Sequence, residues 1–388
     1  MKNKKIYFDN ASTTRVDDRV YRYMQQFFKD NYGNPSSLHD FGGPANKAVE
    51  KARNQAAKLI GADEEEIYFT SCGTESNNFA LWGLLKAYRD KGSHIISSEI
   101  EHLSILNPLK ELAKEGWKVS LVPVDEYGFV NPEDVKKEIR KDTVLISIMH
   151  ANNEVGTIQK IKEISAIAKE NNILFHCDGA AAAGIIPVNV RELGVDAYSF
   201  TSQQMYGPKG AAALYVKKGV KIKPLLLGGI QERGRRAGTE NVPAIAGFGK
   251  ACEMAAGEMG KNIKYVSGLR DKLIKGINEN IKNVKLNGHP TERTPGNVHF
   301  SFEFIEGESI LLMLNLEGIA AASGSSCASQ ALKSSHVLIA MGLSPTMAQG
   351  SILFSLGKYN TPEEVGSVIG VLPPIADRLR KMSPLYKE

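Results

Sequence analysis

From about residue 60 to residue 250, short β-branched, apolar runs alternate with stretches of helical spacing, and no other feature constrains the fold as strongly. Candidate strands lie at 66–70, 94–98, 119–124, 144–149, 173–178, 197–201 and 212–216, with helical stretches such as 75–88, 104–115 and 161–170 between them. Each strand is nearly all apolar, so both of its faces must be covered. That requirement selects a mostly parallel sheet with helices on both sides. The expected class is α/β, with a seven-stranded sheet and a ligand crevice beyond the carboxyl ends of the strands.

A chain of 388 residues exceeds what one ordinary core organises, and the pattern changes near residue 250. A long helical stretch at 251–281 leads into shorter strands and helices. The expected division is a large domain at 15–250 and a smaller α+β domain built from 1–14 and 251–388. The formal net charge of +5 is spread out, with no long basic run, which argues against a nucleic-acid partner. No apolar run approaches the roughly 18 residues of a membrane span, and basic residues near the start precede no apolar stretch of a secretory signal. Four scattered cysteines, Cys72, Cys177, Cys252 and Cys327, form no CxxC pair and fit a reducing cytoplasm.

Several motifs can carry chemistry. Ser71-Cys72-Gly73-Thr74-Glu75 follows a strand and opens a helix, where free N–H groups and the helix dipole favour a phosphate. Taken alone, the motif is better explained by a plain helix cap with Thr74 as the capping residue. His176-Cys177-Asp178-Gly179 puts a carboxylate at a strand end, able to pair with a protonated ring nitrogen or simply to cap the next turn. His102 can stack on a flat ring or be an ordinary solvated or core imidazole. Asn153 can bond a cofactor hydroxyl or serve a turn. Arg235-Arg236-Ala237-Gly238-Thr239 offers a hydroxyl and cations to a phosphate, or forms a solvated basic turn. Ser323-Gly324-Ser325-Ser326-Cys327 presents one thiol on a small-residue loop, which suits a group that moves between partners better than a buried core.

Together, in this order and spacing, these motifs resemble the NifS/IscS-like cysteine desulfurases of aminotransferase class V. The resemblance runs from Tyr7-Phe8-Asp9-Asn10-Ala11 and Gly33-Asn34-Pro35-Ser36 through Asn152-Asn153-Glu154-Val155-Gly156 and Tyr206-Gly207-Pro208-Lys209-Gly210 to Gly238-Thr239-Glu240-Asn241 and the Cys327 loop. It implies a fold type I pyridoxal 5′-phosphate (PLP) enzyme acting as a cytoplasmic homodimer. It implies phosphate contacts from the Gly73-Thr74 turn and Thr201, with Thr239 supplied by the partner subunit. His102 would stack on the ring, Asn153 meet its hydroxyl and Asp178 pair with its nitrogen. Cys327 matches the residue that takes the substrate sulfur as a persulfide. An iron–sulfur scaffold protein (IscU-like) would dock near the C-terminal segment 382–386.

The chain departs from that pattern at the cofactor's covalent anchor. The family carries His-Lys where Gln203 and Gln204 stand here, and an amide can neither form a Schiff base nor move protons. Lys209 is no substitute, because relatives carry a lysine there too. Ala181 replaces a glutamine that contacts the ring oxygen. Leu353 stands where relatives have the arginine that grips the substrate carboxylate. The reading favoured on these grounds is sulfur transfer, or ligation of a shared [2Fe–2S] cluster, through Cys327. Any PLP would be non-covalent, sulfur would come from L-cysteine or sulfide, and desulfuration would be weak or absent. The alternative is an active desulfurase turning L-cysteine into L-alanine with a persulfide left on Cys327.

Overall fold

A computed structural model describes residues 5–323, 334–384 and 386. The chain starts with a two-residue strand, β1 (Ile6–Tyr7), followed by helices Asp18–Lys29 and Gly42–Ile60. Seven strands come next: β2 (Ile67–Thr70), β3 (His94–Ser98), β4 (Lys118–Val122), β5 (Thr143–Ser147), β6 (Leu174–Asp178), β7 (Ala197–Thr201) and β8 (Ala212–Val216). They form one sheet in the order β2-β8-β7-β6-β5-β3-β4. β8 runs antiparallel to β2 and β7, and the other pairings are parallel.

The all-apolar strand pattern has the consequence expected of it. Ile96, Ile146, Phe175 and Ala213 enter one buried cluster. Their neighbours Ile95, Leu145, Leu174 and Leu214 belong to or pack against a second cluster on the opposite face. Successive strand side chains point to opposite faces, so a sheet covered on both sides buries apolar residues on each of them. Burying each large aliphatic side chain contributes about 1.5–3 kcal/mol.

Beyond residue 280 a three-stranded antiparallel sheet forms from β9 (Val284–Leu286), β10 (Asn297–Phe302) and β12 (Ser351–Ser355), with β10 in the middle. β1 pairs in parallel with β11 (Ile319–Ala320), which draws the N-terminal segment into this region. Val298, Phe300, Phe302, Ile352 and Phe354 pack under helix Pro362–Met382. Asn297, His299 and Ser301 alternate with them onto the other face.

One helix, Val242–Asn280, enters both regions. Its first half places Val242, Phe248 and Ala255 in the cluster of the large sheet, and its second half places Val266, Leu273 and Ile277 under β10. Sequence spacing puts its start at 251, nine residues too late. Pro243, Gly247 and Gly249 lower helix propensity there, but Pro is tolerated in the first turn. Gly249 is needed for packing, since a Cβ there would lie 2.4 Å from the Ala52 Cα of the neighbouring helix. Among the described residues no helix is long and apolar enough to cross a membrane.

Candidate functional site

The carboxyl ends of β2, β6 and β7 converge on a cavity of about 690 Å³. Thr201 ends β7, Asp178 ends β6, and the turn after β2 contributes Gly73 and Thr74. The segments that follow β3 and β5 add His102 and Asn153. The far wall comes from the β10–β12 region through Asn297, Leu353 and Ser355, and from Met259 and Ile263 in the middle of helix Val242–Asn280. Parallel strands connected by helices place all their carboxyl ends on one side, which is why residues so distant in sequence meet here.

Helix Gly73–Ala87 is capped by Cys72, whose Sγ accepts from the Glu75 N–H at 3.4 Å. Thr74 lies inside the first turn, so the alternative that made it the capping residue is corrected. The first-turn N–H groups of Gly73 and Thr74 have no carbonyl one turn back to bond, and both residues line the cavity. Glu75 accepts from the Ser71 hydroxyl at 2.5 Å and from Arg236 Nε at 2.8 Å. Arg236 is committed to a carboxylate, which draws the Glu75 pKa down despite its burial, and does not line the cavity.

Asp178 is buried, with its Oδ1 accepting from the Ala180 N–H at 3.0 Å and its Oδ2 from Asn77 Nδ2 at 2.7 Å. His102 caps helix Leu103–Lys114, its Nδ1 accepting from the Ser104 N–H at 3.1 Å. Next to it Glu101 is fully buried. Desolvation pushes its pKa up to about 8, against the hydrogen bonds from Ser98 and the Met149 N–H. Glu154 is also buried, which raises its pKa, and it accepts from the Ser335 hydroxyl at 2.5 Å.

Gln204 lines the cavity, and its Nε2 donates to the Ala11 carbonyl at 2.6 Å. Gln203 and Ala181 also line it, and Gln203 accepts from the Thr14 hydroxyl through its backbone carbonyl at 2.6 Å. Lys209 is exposed and outside the cavity. The one amine among the described lining residues is Lys110, which is exposed. Leu353 is buried in the wall, facing His299 across the strands. Burial pushes His299 down to about 3, so it carries no charge to replace an arginine.

Eight of the sequence candidates can be placed, and seven meet in this cavity: Gly73, Thr74, His102, Asn153, Asp178, Thr201 and Gln204. Thr239 is exposed and outside the cavity of its own chain. Cys327 lies outside the described residues. Sequence reasoning missed Asn77, Ser104 and Lys110 as lining residues. Asn77 sits on a helix in no motif, three residues after Thr74, and Ser104 ends the segment Glu101-His102-Leu103-Ser104 that carries His102; only their spacing, one helical turn or less, could have suggested their roles.

Residues 6–368 match the family described as Aminotransferase class-V. Over 385 residues the chain is 50% identical to the cysteine desulfurase IscS of Dictyoglomus turgidum, covering 99% of this chain and 98% of that protein. Over 383 residues it is 51% identical to the cysteine desulfurase IscS of Methanosarcina thermophila, covering 99% and 95%. A solved structure titled NifS-like protein superimposes with a TM-score of 0.91 at 40% identity, covering 97% of this chain and all of that one.

Proposed function

Because this chain belongs to the aminotransferase class-V family, we propose that it is a cysteine desulfurase, taking sulfur from L-cysteine onto Cys327 and leaving L-alanine. The observation that carries this reading is the meeting of Asp178, His102, Thr201 and the first turn of helix Gly73–Ala87 in one cavity. Relatives about half identical over nearly their whole length bear the name cysteine desulfurase, which supports it.

The donor set fits PLP. The free N–H groups of Gly73 and Thr74, with the hydroxyls of Thr74 and Thr201, would hold its phosphate, and Thr239 of a second copy would add to them. Asp178 would pair with the ring nitrogen, Asn153 with the ring hydroxyl, and His102 would cover one face. When bound, the cofactor supplies an electron sink for the substrate's bonds. The chain's own part is to hold a negative charge at Asp178, to exclude water with the Leu353 and Ile263 wall, and to bring a thiol to the substrate sulfur. With an amide at position 204, the cofactor would be held without a covalent bond to the chain.

A specific observation favours a second reading. Gln204 is tied to the Ala11 carbonyl and brings no base into the cavity. In that reading desulfuration is weak or absent, and Cys327 either ligates, as a thiolate, a [2Fe–2S] cluster built from iron and sulfide and shared with an IscU-like scaffold protein docked near 382–386, or accepts sulfane sulfur from another enzyme's persulfide, whose thiolate leaves. One experiment separates the two. Alanine formed from L-cysteine by the purified protein with added PLP supports the desulfurase. Cluster or persulfide on the scaffold complex with no alanine formed supports the second reading.

A further inference from the structure

We propose that Asn77 and Ser104 are positioning residues that tie the Asp178 carboxylate to the His102 imidazole, so that one hydrogen-bonded chain sets both groups facing the cofactor ring. This inference rests on reading the cavity as a PLP pocket, but its geometry stands on the protein alone.

The chain is continuous. Asn77, on helix Gly73–Ala87, is 1% exposed, and its amide reaches two elements at once. Its Nδ2 donates to Asp178 Oδ2 at 2.7 Å and to Ser104 Oγ at 2.8 Å. Both amide protons are thereby used. The orientation is forced, because a flipped amide would face its oxygen to a carboxylate. The Asn77 Oδ1 is left buried without a partner, a loss tolerated for the sake of the two bonds on the other side.

Ser104 passes the constraint on. Its hydroxyl oxygen accepts from Asn77, so its single proton is free for His102 Nδ1 at 2.7 Å. The Ser104 backbone N–H points at the same nitrogen at 3.1 Å. Two donors on Nδ1 require that it carry the lone pair, which puts the imidazole proton on Nε2. The chain links carboxylate, amide, hydroxyl and imidazole: the Asn77 amide donates both ways, to Asp178 and to Ser104, and the Ser104 hydroxyl donates on to His102. The negative charge on Asp178 fixes the amide, the amide fixes the hydroxyl, and the hydroxyl fixes the tautomer and tilt of the ring. Helices Gly73–Ala87 and Leu103–Lys114 and the end of β6 are thus locked together at the point where a flat ring would lie.

The test uses the full-length protein labelled with ¹⁵N-histidine, the His102 signals being assigned by their loss in His102→Gln. In the cofactor-free wild type, the ring nitrogens should report an Nε2–H tautomer. Asn77→Leu, which does not touch His102, should alter those signals, and so should Ser104→Ala. Ser104→Thr, which keeps the hydroxyl, should leave them close to wild type. Titration with PLP, followed by its absorbance, should show binding about tenfold weaker in Asn77→Leu, the loss expected for one hydrogen bond to a charged group. His102 signals unchanged in folded Asn77→Leu, or a proton found on Nδ1, would overturn the proposal. A wild type that binds no PLP overturns the pocket reading instead, while the ¹⁵N signals still decide whether the chain of bonds exists.

Discussion

An amide at position 204 keeps a hydrogen bond where an amine would keep a proton in motion. The Gln204 Nε2 bond to the Ala11 carbonyl holds the side chain against the N-terminal segment. Gln204→Lys restores a base and a covalent anchor, and is expected to raise alanine formation by about 10² to 10⁴, the usual contribution of a positioned general base. Steady-state assays with added PLP check this, together with a new absorbance band in the variant. Leu353 marks a different loss. Arginine at that position would offer a fork of donors to the substrate carboxylate, so Leu353→Arg should lower KM for L-cysteine more than it changes kcat. An unchanged KM would mean that position 353 does not meet the carboxylate. Glu101 is a third residue with a measurable signature. Its folded-state pKa of about 8 lies above its ordinary value of 4.5. The native protein therefore holds a proton that the unfolded chain gives up, and this contribution to stability is full below about pH 4.5 and lost as pH rises towards 8. Urea midpoints measured across that window should fall more steeply for wild type than for Glu101→Gln.

Among elements, the strands were legible and the places where helices begin were less so. All seven sheet strands follow from apolar, β-branched runs, because burial on both faces of the sheet keeps apolar residues frequent along each strand. The start of helix Val242–Asn280 was hidden by Gly247 and Gly249, whose presence answers to close helix contacts that sequence spacing cannot display. Of the site, the residues in motifs were readable. Asn77 and Ser104 were not, because their roles arise only when two helices and a strand end meet. The segment Gln231–Gly234 shows another tertiary demand. Glu232 and Arg233 adopt left-handed backbone, with φ of 46° and 57°. Buried Glu232 binds Arg53 through both oxygens, at 2.8 and 2.9 Å, and accepts from the Phe69 N–H at 2.8 Å. Arg53→Ala strands that carboxylate beside β2, so chemical denaturation should register a loss of about 3–5 kcal/mol. A loss under 1 kcal/mol would mean the loop relaxes and lets water in.

At the scale of the molecule, the cavity lies between two sets of packed elements, and one helix runs through both. Gly260 sits near the middle of helix Val242–Asn280, in an exposed stretch with nothing near its missing Cβ. Gly260→Pro removes a helix hydrogen bond and kinks the rod, at a cost of about 3 kcal/mol or more. Calorimetry should then resolve two transitions where wild type gives one, and PLP binding should weaken because Met259 and Ile263 move. The cavity itself gathers side chains from β6, β7, β10 and β12 and from the turn after β2, so its assembly is a property of the whole chain. Alanine released from L-cysteine by the wild-type protein, with PLP added, tests its chemistry most directly. Slow but enzyme-dependent alanine, lost in Asp178→Ala and accompanied by persulfide on Cys327, is the expected result. Alanine no faster than PLP alone produces, in a protein that has bound the cofactor, would contradict it.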